Sequence, residues 1–237
     1  MGTERKVAII TGASQGIGAA LVKAYRDLNY RVVANSRSIR QGSDPDILAV
    51  DGDIADPRVA GRVVEEALAR FGRIDTLVNN AGIFVAKPFT DYTEADYAAV
   101  LSVNLAGFFH ISQRAVAAML KQGSGHIVNI TTTLADQPVA GVPSVLASLT
   151  KGGLNSATKS LAIEYATSGI RVNAVSPGII KTPMHAPETH EALGKLHPVG
   201  RMGEIRDIVD AVVFLENAGF VTGEILHVDG GQNAGHW

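Results

Sequence analysis

The stretch "KVAIITGASQGIG", residues 6–18, decides the fold. Lys6 to Ile10 is an apolar run of strand length, and it passes directly into a turn with glycines at 12, 16 and 18. A segment of helical period, "GAALVKAYRDL" (18–28), follows. A strand that feeds a helix through a glycine-rich turn is the first half of a parallel βαβ unit. Such a turn also suits a pyrophosphate, because glycine lets the backbone come close while the helix N–H groups and dipole stabilise the charge. Gly12, Ser14, Gln15, Gly16, Ile17 and Gly18 form this candidate cradle. The spacing is G-x-x-x-G-x-G rather than the commoner G-x-G-x-x-G, and glycines here also serve as plain turn formers.

Outward from this unit the pattern repeats. "RVVAN" (31–35), "DILAV" (46–50), "DTLVN" (75–79), "HIVNI" (126–130), "RVNAV" (171–175) and "EILHV" (224–228) read as further strands, seven with the first. Several are apolar nearly throughout, as parallel strands covered on both faces should be. Helical patterns such as "RVAGRVVEEALARF" (58–71) and "RDIVDAVVFL" (206–215) lie between them. The segment "SRSIRQGSDP" is too poor in periodic residues for a helix and reads as a loop. No polar linker, repeat or low-complexity tract interrupts the 237 residues. The expectation is one α/β domain over 1–237, with a doubly wound parallel sheet.

Composition excludes several functions. A formal net charge of −2 gives no general attraction to nucleic acid or anionic membranes. The chain has no cysteine, so disulfides, thiolate metal sites and a cysteine nucleophile are absent. The seven histidines (His110, His126, His185, His190, His197, His227, His236) lack metal-ligand spacing and read as surface or loop residues. No metal is expected. The opening "MGTERKVAIITG" has no secretory apolar region, and Lys6 argues against myristoylation after Met1 and Gly2. No apolar run approaches membrane-spanning length, so a cytoplasmic protein is expected.

At the end of the second strand a carboxylate would grip the ribose diol of NAD. Here the chain reads "NSRS", with Ser36 and Arg37 and no acid. An acid would repel a 2′-phosphate, whereas a hydroxyl and a guanidinium can bind one. NADP is therefore favoured, with NAD possible; the alternative for Arg37 is a solvated loop arginine.

Taken in order, "TGASQGIG", "NNAG" (79–82), "SVNL" (102–105), Lys151, "SPGIIKT" (176–182) and "VTGEILHVDGG" (221–231) resemble the motifs of the short-chain dehydrogenase/reductases over essentially the full chain. The resemblance implies a seven-stranded Rossmann-like single domain, a nicotinamide cofactor, and hydride transfer with an alcohol or carbonyl. It also implies a homo-oligomer, dimer or tetramer. Asn79 would brace the sheet centre, while Asn80, Ala81 and Gly82 pass the cofactor ribose. Asp53 in "DGDIAD" resembles the aspartate that accepts from adenine, with Ile54 beside the ring; alternatively it is a helix N-terminal acid near Pro57. Pro177 and Gly178 let the backbone bend beneath the nicotinamide, and Ile180 and Thr182 resemble the residues holding its carboxamide. The segment 183–205 resembles the mobile substrate lid.

The family's chemistry uses four side chains. Asn104 matches the asparagine that anchors a proton-relay water through a helix irregularity. Thr132 matches the serine that hydrogen-bonds the substrate oxygen, with Thr131 and Thr133 close enough to shift the assignment. Lys151 matches the lysine that binds the nicotinamide ribose and lowers a tyrosine's pKa. The tyrosine's own place holds Ala147, and residues 134–164 contain no tyrosine. Thr132 and Ala147 also stand slightly farther apart than is usual. Water from the relay, or His185 or His190 in the lid, could take over the proton. The reading is an NADP(H)-dependent oxidoreductase with an altered proton-donor site. The alternative is a silent nucleotide-binding homologue, natural or engineered, acting as sensor or partner subunit.

Overall fold

A computed structural model describes residues 5–235; Met1, Gly2 and His236 lie outside the described residues. Each of the seven expected runs becomes a strand: β1 Val7–Thr11, β2 Arg31–Ser36, β3 Ile47–Asp51, β4 Thr76–Asn79, β5 Gly125–Ile130, β6 Ile170–Pro177 and β7 Ile225–Val228. They form one sheet ordered β3-β2-β1-β4-β5-β6-β7, and every neighbouring pair is parallel. The chain winds outward from β1 in one direction and from β4 in the other. A crevice at the carboxyl ends of the strands follows from that reversal. This is the Rossmann-like, doubly wound arrangement.

Alternate residues of β1 serve two cores. Val7 and Ile9 join one cluster and Ala8 and Ile10 the other, as the two-residue period of a strand requires. Helices α2 (Pro57–Phe71), α4 (Phe108–Gln122) and α5 (Val145–Tyr165) supply the first layer; α1 (Gly16–Asp27) and α7 (Ile205–Asn217) supply the second. Each fully buried Ile, Leu or Val contributes about 1.5–3 kcal/mol. The signals at α2 are local: the Asp56 side chain accepts from Arg58 N at 2.8 Å, Pro57 occupies the first turn, and Gly72 ends the helix at φ 80°. As expected, residues 37–46 cross from β2 to β3 without a helix.

One long helical segment is interrupted. The stretch "DYAAVLSVNLAGFFHISQRAVAAML" forms α3 (Glu94–Leu101), a wider π-type turn over Ser102–Gly107, and then α4. Such bulges inside helices often mark functional positions. A short α6 (His190–Gly194) lies within 183–205.

At the opposite, amino-terminal edge of the sheet lies a buried polar cluster that the sequence did not reveal. The Glu216 carboxylate, 6% exposed, accepts from Tyr25, Tyr30, Thr76 and His126 Nδ1 at 2.8–3.0 Å. His126 Nε2 faces two donors, Arg171 and Asn173 Nδ2, so it accepts and the imidazole is neutral. Burial drives His126 in the same direction.

Candidate active site

A cleft of about 860 Å³ opens at the carboxyl ends of the strands. Its floor is largely backbone. Gly12 has φ +65°, and a Cβ there would lie 2.9 Å from Ala81 Cα and from Asn80 Nδ2. Asn80 Nδ2 donates to Thr11 O at 2.9 Å and Gly12 O at 3.2 Å, while Asn80 N and Ala81 N donate to Thr11 Oγ1. These bonds tie the exit of β4 to the exit of β1. Behind them Asn79 Nδ2 donates to Asn129 Oδ1 and Ser112 Oγ, both at 2.9 Å, bracing the sheet centre as expected.

Ser14, Gln15, Gly16 and Ile17 line the cleft beside Gly12, whereas Gly18 does not. A Cβ on Gly18 would stand 2.2 Å from Gly12 O, so this glycine lets α1 approach the turn rather than facing a ligand. Ser36, Arg37, Asp53, Ile54, Asn80, Ala81 and Gly82 line the same cleft. Ser36 Oγ accepts from Ser38 N at 3.3 Å, and Asp53 Oδ1 accepts from Ala55 N at 3.0 Å. The cap of α2 is Asp56, not Asp53.

At the β5–β6 end, the three threonines point different ways. Thr133 Oγ1 donates to Asp229 Oδ2 at 2.7 Å and is fully buried. Thr131 lines the cleft, but its hydroxyl donates to Val175 O at 3.3 Å. Thr132 lines the cleft, and its Oγ1 accepts from Leu134 N, which leaves the O–H free to donate. Of the three, Thr132 alone both lines the cleft and keeps its O–H uncommitted.

Lys151 lies in the cleft wall, and Nζ donates to Ile130 O at 2.7 Å. Desolvation pulls its ammonium down to about 8. A Cβ on Gly82 would come within 3.1 Å of Nζ and 3.3 Å of Asn104 Oδ1, so the missing side chain keeps this corner open. Asn104 sits in the π-type turn but outside the main cleft. Its Oδ1 accepts from Ile83 N at 2.9 Å, and its Nδ2 donates to Ile83 O and Thr150 Oγ1. Ala147, one turn before Lys151 on α5, lines the cleft, and no tyrosine does.

Pro177, Gly178, Ile180 and Thr182 complete the wall, followed by Met184 and His185. His190 does not line the cleft; its Nε2 donates to His185 O at 3.1 Å. The reading of the histidines as surface or loop fails at His126, which lies in β5 and is 2% exposed; His197 is in a loop as read, but is equally buried. His197 Nε2 accepts from Ile179 N at 2.9 Å and supports the turn at Gly178, where a Cβ would lie 2.7 Å from that nitrogen. Nothing in the local spacing of "KLHPVG" signals this contact.

The residues fit a dinucleotide. The floor is glycine backbone that any Cβ would fill, and the buried Lys151 ammonium has donors left over after Ile130 O.

Comparisons with known proteins agree. Residues 12–233 match the family described as enoyl-(acyl carrier protein) reductase. The 3-oxoacyl-[acyl-carrier-protein] reductase FabG of Thermotoga maritima is 36% identical over 98% of this chain and 99% of its own. The solved structure of ElxO with NADP bound superposes with a TM-score of 0.90 at 29% identity, covering 98% of this chain and 100% of that one. The 3-ketoacyl-(acyl-carrier-protein) reductase of Brucella melitensis, complexed with NADH, gives 0.89 at 32% identity, covering 97% and 99%. The chain therefore belongs to the short-chain dehydrogenase/reductase family of NAD(P)-dependent oxidoreductases.

Proposed function

We propose that the protein is an NADP(H)-dependent oxidoreductase that moves hydride between the nicotinamide and a small carbonyl or alcohol, with its proton donor rebuilt around Ala147. The carrying observation is the ammonium of Lys151, buried in the wall of a cleft beside an alanine. The bound cofactor would supply hydride exchange at its nicotinamide ring. Gly12, Ser14, Gln15, Gly16 and Ile17 would hold the pyrophosphate, with Gly18 setting the turn. Ser36 and Arg37 would take the 2′-phosphate, and Asp53 and Ile54 the adenine. Asn80, Ala81, Gly82 and Lys151 would face the nicotinamide ribose, and Pro177, Gly178, Ile180 and Thr182 the nicotinamide. Thr132 would donate to the substrate oxygen. Asn104 would fix the Ile83 backbone and the relay water. Residues 183–205 would form the substrate lid.

The reading extends to assembly and location. Phe109 on α4 and Leu149 and Ile163 on α5 are 55%, 55% and 81% exposed, and a second copy of the chain would cover them. A homodimer or homotetramer acting in the cytoplasm is the expected form. Among the described residues no helix is long and apolar enough to cross a membrane.

The test combines calorimetry with turnover. NADPH should bind more tightly than NADH, and NADPH should be oxidised in the presence of ketones and aldehydes. Tighter NADH binding would sink the NADP assignment. Cofactor binding without turnover on any carbonyl would favour the silent nucleotide-binding alternative.

A further inference from the structure

Moving hydride to or from an alcohol carbon leaves one proton to be exchanged at oxygen. Among the described residues four titratable side chains line the cleft: Arg37, Asp53, Lys151 and His185. Arg37 does not deprotonate. Arg37 and Asp53 follow β2 and β3, three and four places from β5 in the sheet. At the usual strand spacing that is roughly 14 and 19 Å from Thr132. Lys151 is held by Ile130 O and, on the reading above, by the ribose. His185 remains.

Its geometry suits the task. Nδ1 lies 2.9 Å from Ile180 O, and a carbonyl can only accept, so Nδ1 carries a hydrogen. In the neutral ring Nε2 is then an open lone pair. The ring is half-buried on the cleft wall, and its backbone is pinned from behind by His190 Nε2. Ile180 is anchored in turn by its bridge to Gly203. The surrounding wall is apolar: Phe84, Val103, Leu134, Val142, Met184 and Leu193 contribute to it, and among the described residues no carboxylate lines the cleft at this end.

Building on the oxidoreductase reading, we propose that His185 replaces the phenol missing at Ala147 as acid–base catalyst, and that the substrate is an uncharged, apolar secondary alcohol or its ketone. In the oxidative direction the alcohol O–H bond breaks and its proton passes to Nε2, giving an imidazolium that still donates Nδ1–H to Ile180 O. The carbinol C–H bond breaks with its electron pair, which reduces an oxidised nicotinamide dinucleotide as hydride, and the C=O bond forms. Ketone reduction is the reverse, with the imidazolium donating. Burial, aided by His190 and opposed by the Ile180 hydrogen bond, pushes the ring's pKa down, which favours the neutral base.

The test is a double-mutant cycle on the full chain, with 1-phenylethanol and NADP⁺ in one direction and acetophenone and NADPH in the other. His185→Gln should lower kcat by about 10²–10⁴-fold, the range of general acid–base help. In the Ala147→Tyr background the phenol takes the proton, so the same change should cost only a few-fold. Equal losses in both backgrounds would mean a purely structural lid residue and overturn the proposal. A second readout needs no turnover: ¹⁵N NMR of the ligand-free protein should show His185 protonated on Nδ1 and bare on Nε2, and the opposite tautomer overturns it. Calorimetry separates the two readings. If His185→Gln binds NADPH normally and turns over like the parent, the assignment of His185 falls while the oxidoreductase reading stands. If neither the parent nor Ala147→Tyr turns over, both fall.

Discussion

Replacing Lys151 by methionine should change how stability depends on pH. The ammonium is buried, and burial lowers its pKa from 10.5 to about 8. In the unfolded chain the amine keeps its ordinary value, so between these limits the unfolded state binds more protons than the folded one. Stability from this group therefore rises with pH: the penalty is complete below pH 8 and relieved by 10.5. The full gap is worth about 3 kcal/mol, and about 2 kcal/mol of it is relieved between pH 7 and 9.5. Methionine fills the same wall without a charge to desolvate. Urea unfolding of the ligand-free proteins should thus show parent minus variant stability rising by about 2 kcal/mol over that range. Burial raises Tyr25 and Tyr30 in both proteins, so their titration cancels in the difference. A difference that is flat or falls with pH would refute the claim that Lys151 is held as a desolvated cation. On the proposed reading the same variant should lose cofactor affinity, since the ribose oxygens would accept from the donors Lys151 has left over after Ile130 O.

Three further outcomes follow from other parts of the fold. Arg37→Ala should narrow the preference for NADPH over NADH by about 10-fold, the lower end of a charge-assisted hydrogen bond, and calorimetry that finds the preference unchanged removes Arg37 from the site. Gly18→Ala places a methyl 2.2 Å from Gly12 O. Backbone must move to admit it, so a loss of about 3 kcal/mol or more is expected on denaturation, and a change within about 1 kcal/mol would contradict the contact. Glu216→Gln should cost about 3–5 kcal/mol, the range for breaking a buried charged network, without altering NADPH affinity at the far edge of the sheet. Burial alone would raise the Glu216 carboxyl; hydrogen bonds donated by His126, Tyr30 and Thr76 outweigh it and hold it well below the usual carboxylate range. Its stabilisation is present above pH 4.5 and lost as pH falls toward 2, so acid denaturation should be shallower in the variant.

The sheet was legible because each parallel strand is buried on both faces and writes that burial into a short apolar run. The cradle was legible for a related reason: at Gly12, with its positive φ, a Cβ would come within 2.9 Å of the Ala81 backbone. What escaped was long-range. Nothing near His126 announces that Glu216 will meet it across 90 positions, or that His197 will brace Ile179. The three threonines after β5 carry identical chemistry, so only the packing of Asp229 and Val175 separates Thr132 from its neighbours. At Gly18 the sequence could not separate close helix approach from ligand approach, because both require the same missing Cβ. The π-type turn between α3 and α4 was implied only by the resemblance, at Asn104, and not by the apolar period.

The two halves of the cleft differ in what a substitution can do to them. Toward β1 and β2, much of the contact surface is backbone, fixed by the Thr11–Asn80 bonds and by positive-φ glycines. A change of side chain there leaves the N–H groups in place. Toward β5 and α5, the proposed proton exchange would depend on one side chain reaching one oxygen, so a single replacement would remove it. Lys151 stands between these halves, and its acceptor is Ile130 O on β5 rather than any group at position 147. Its position therefore does not require a phenol, and its cost in desolvation persists whether or not one is present. A buried cation with no acid beside it gains most from a ligand that brings oxygen acceptors. On that argument, selection for cofactor binding alone suffices to retain Lys151, and its retention beside Ala147 says nothing about which group moves the proton. That assignment rests on the free nitrogen of His185.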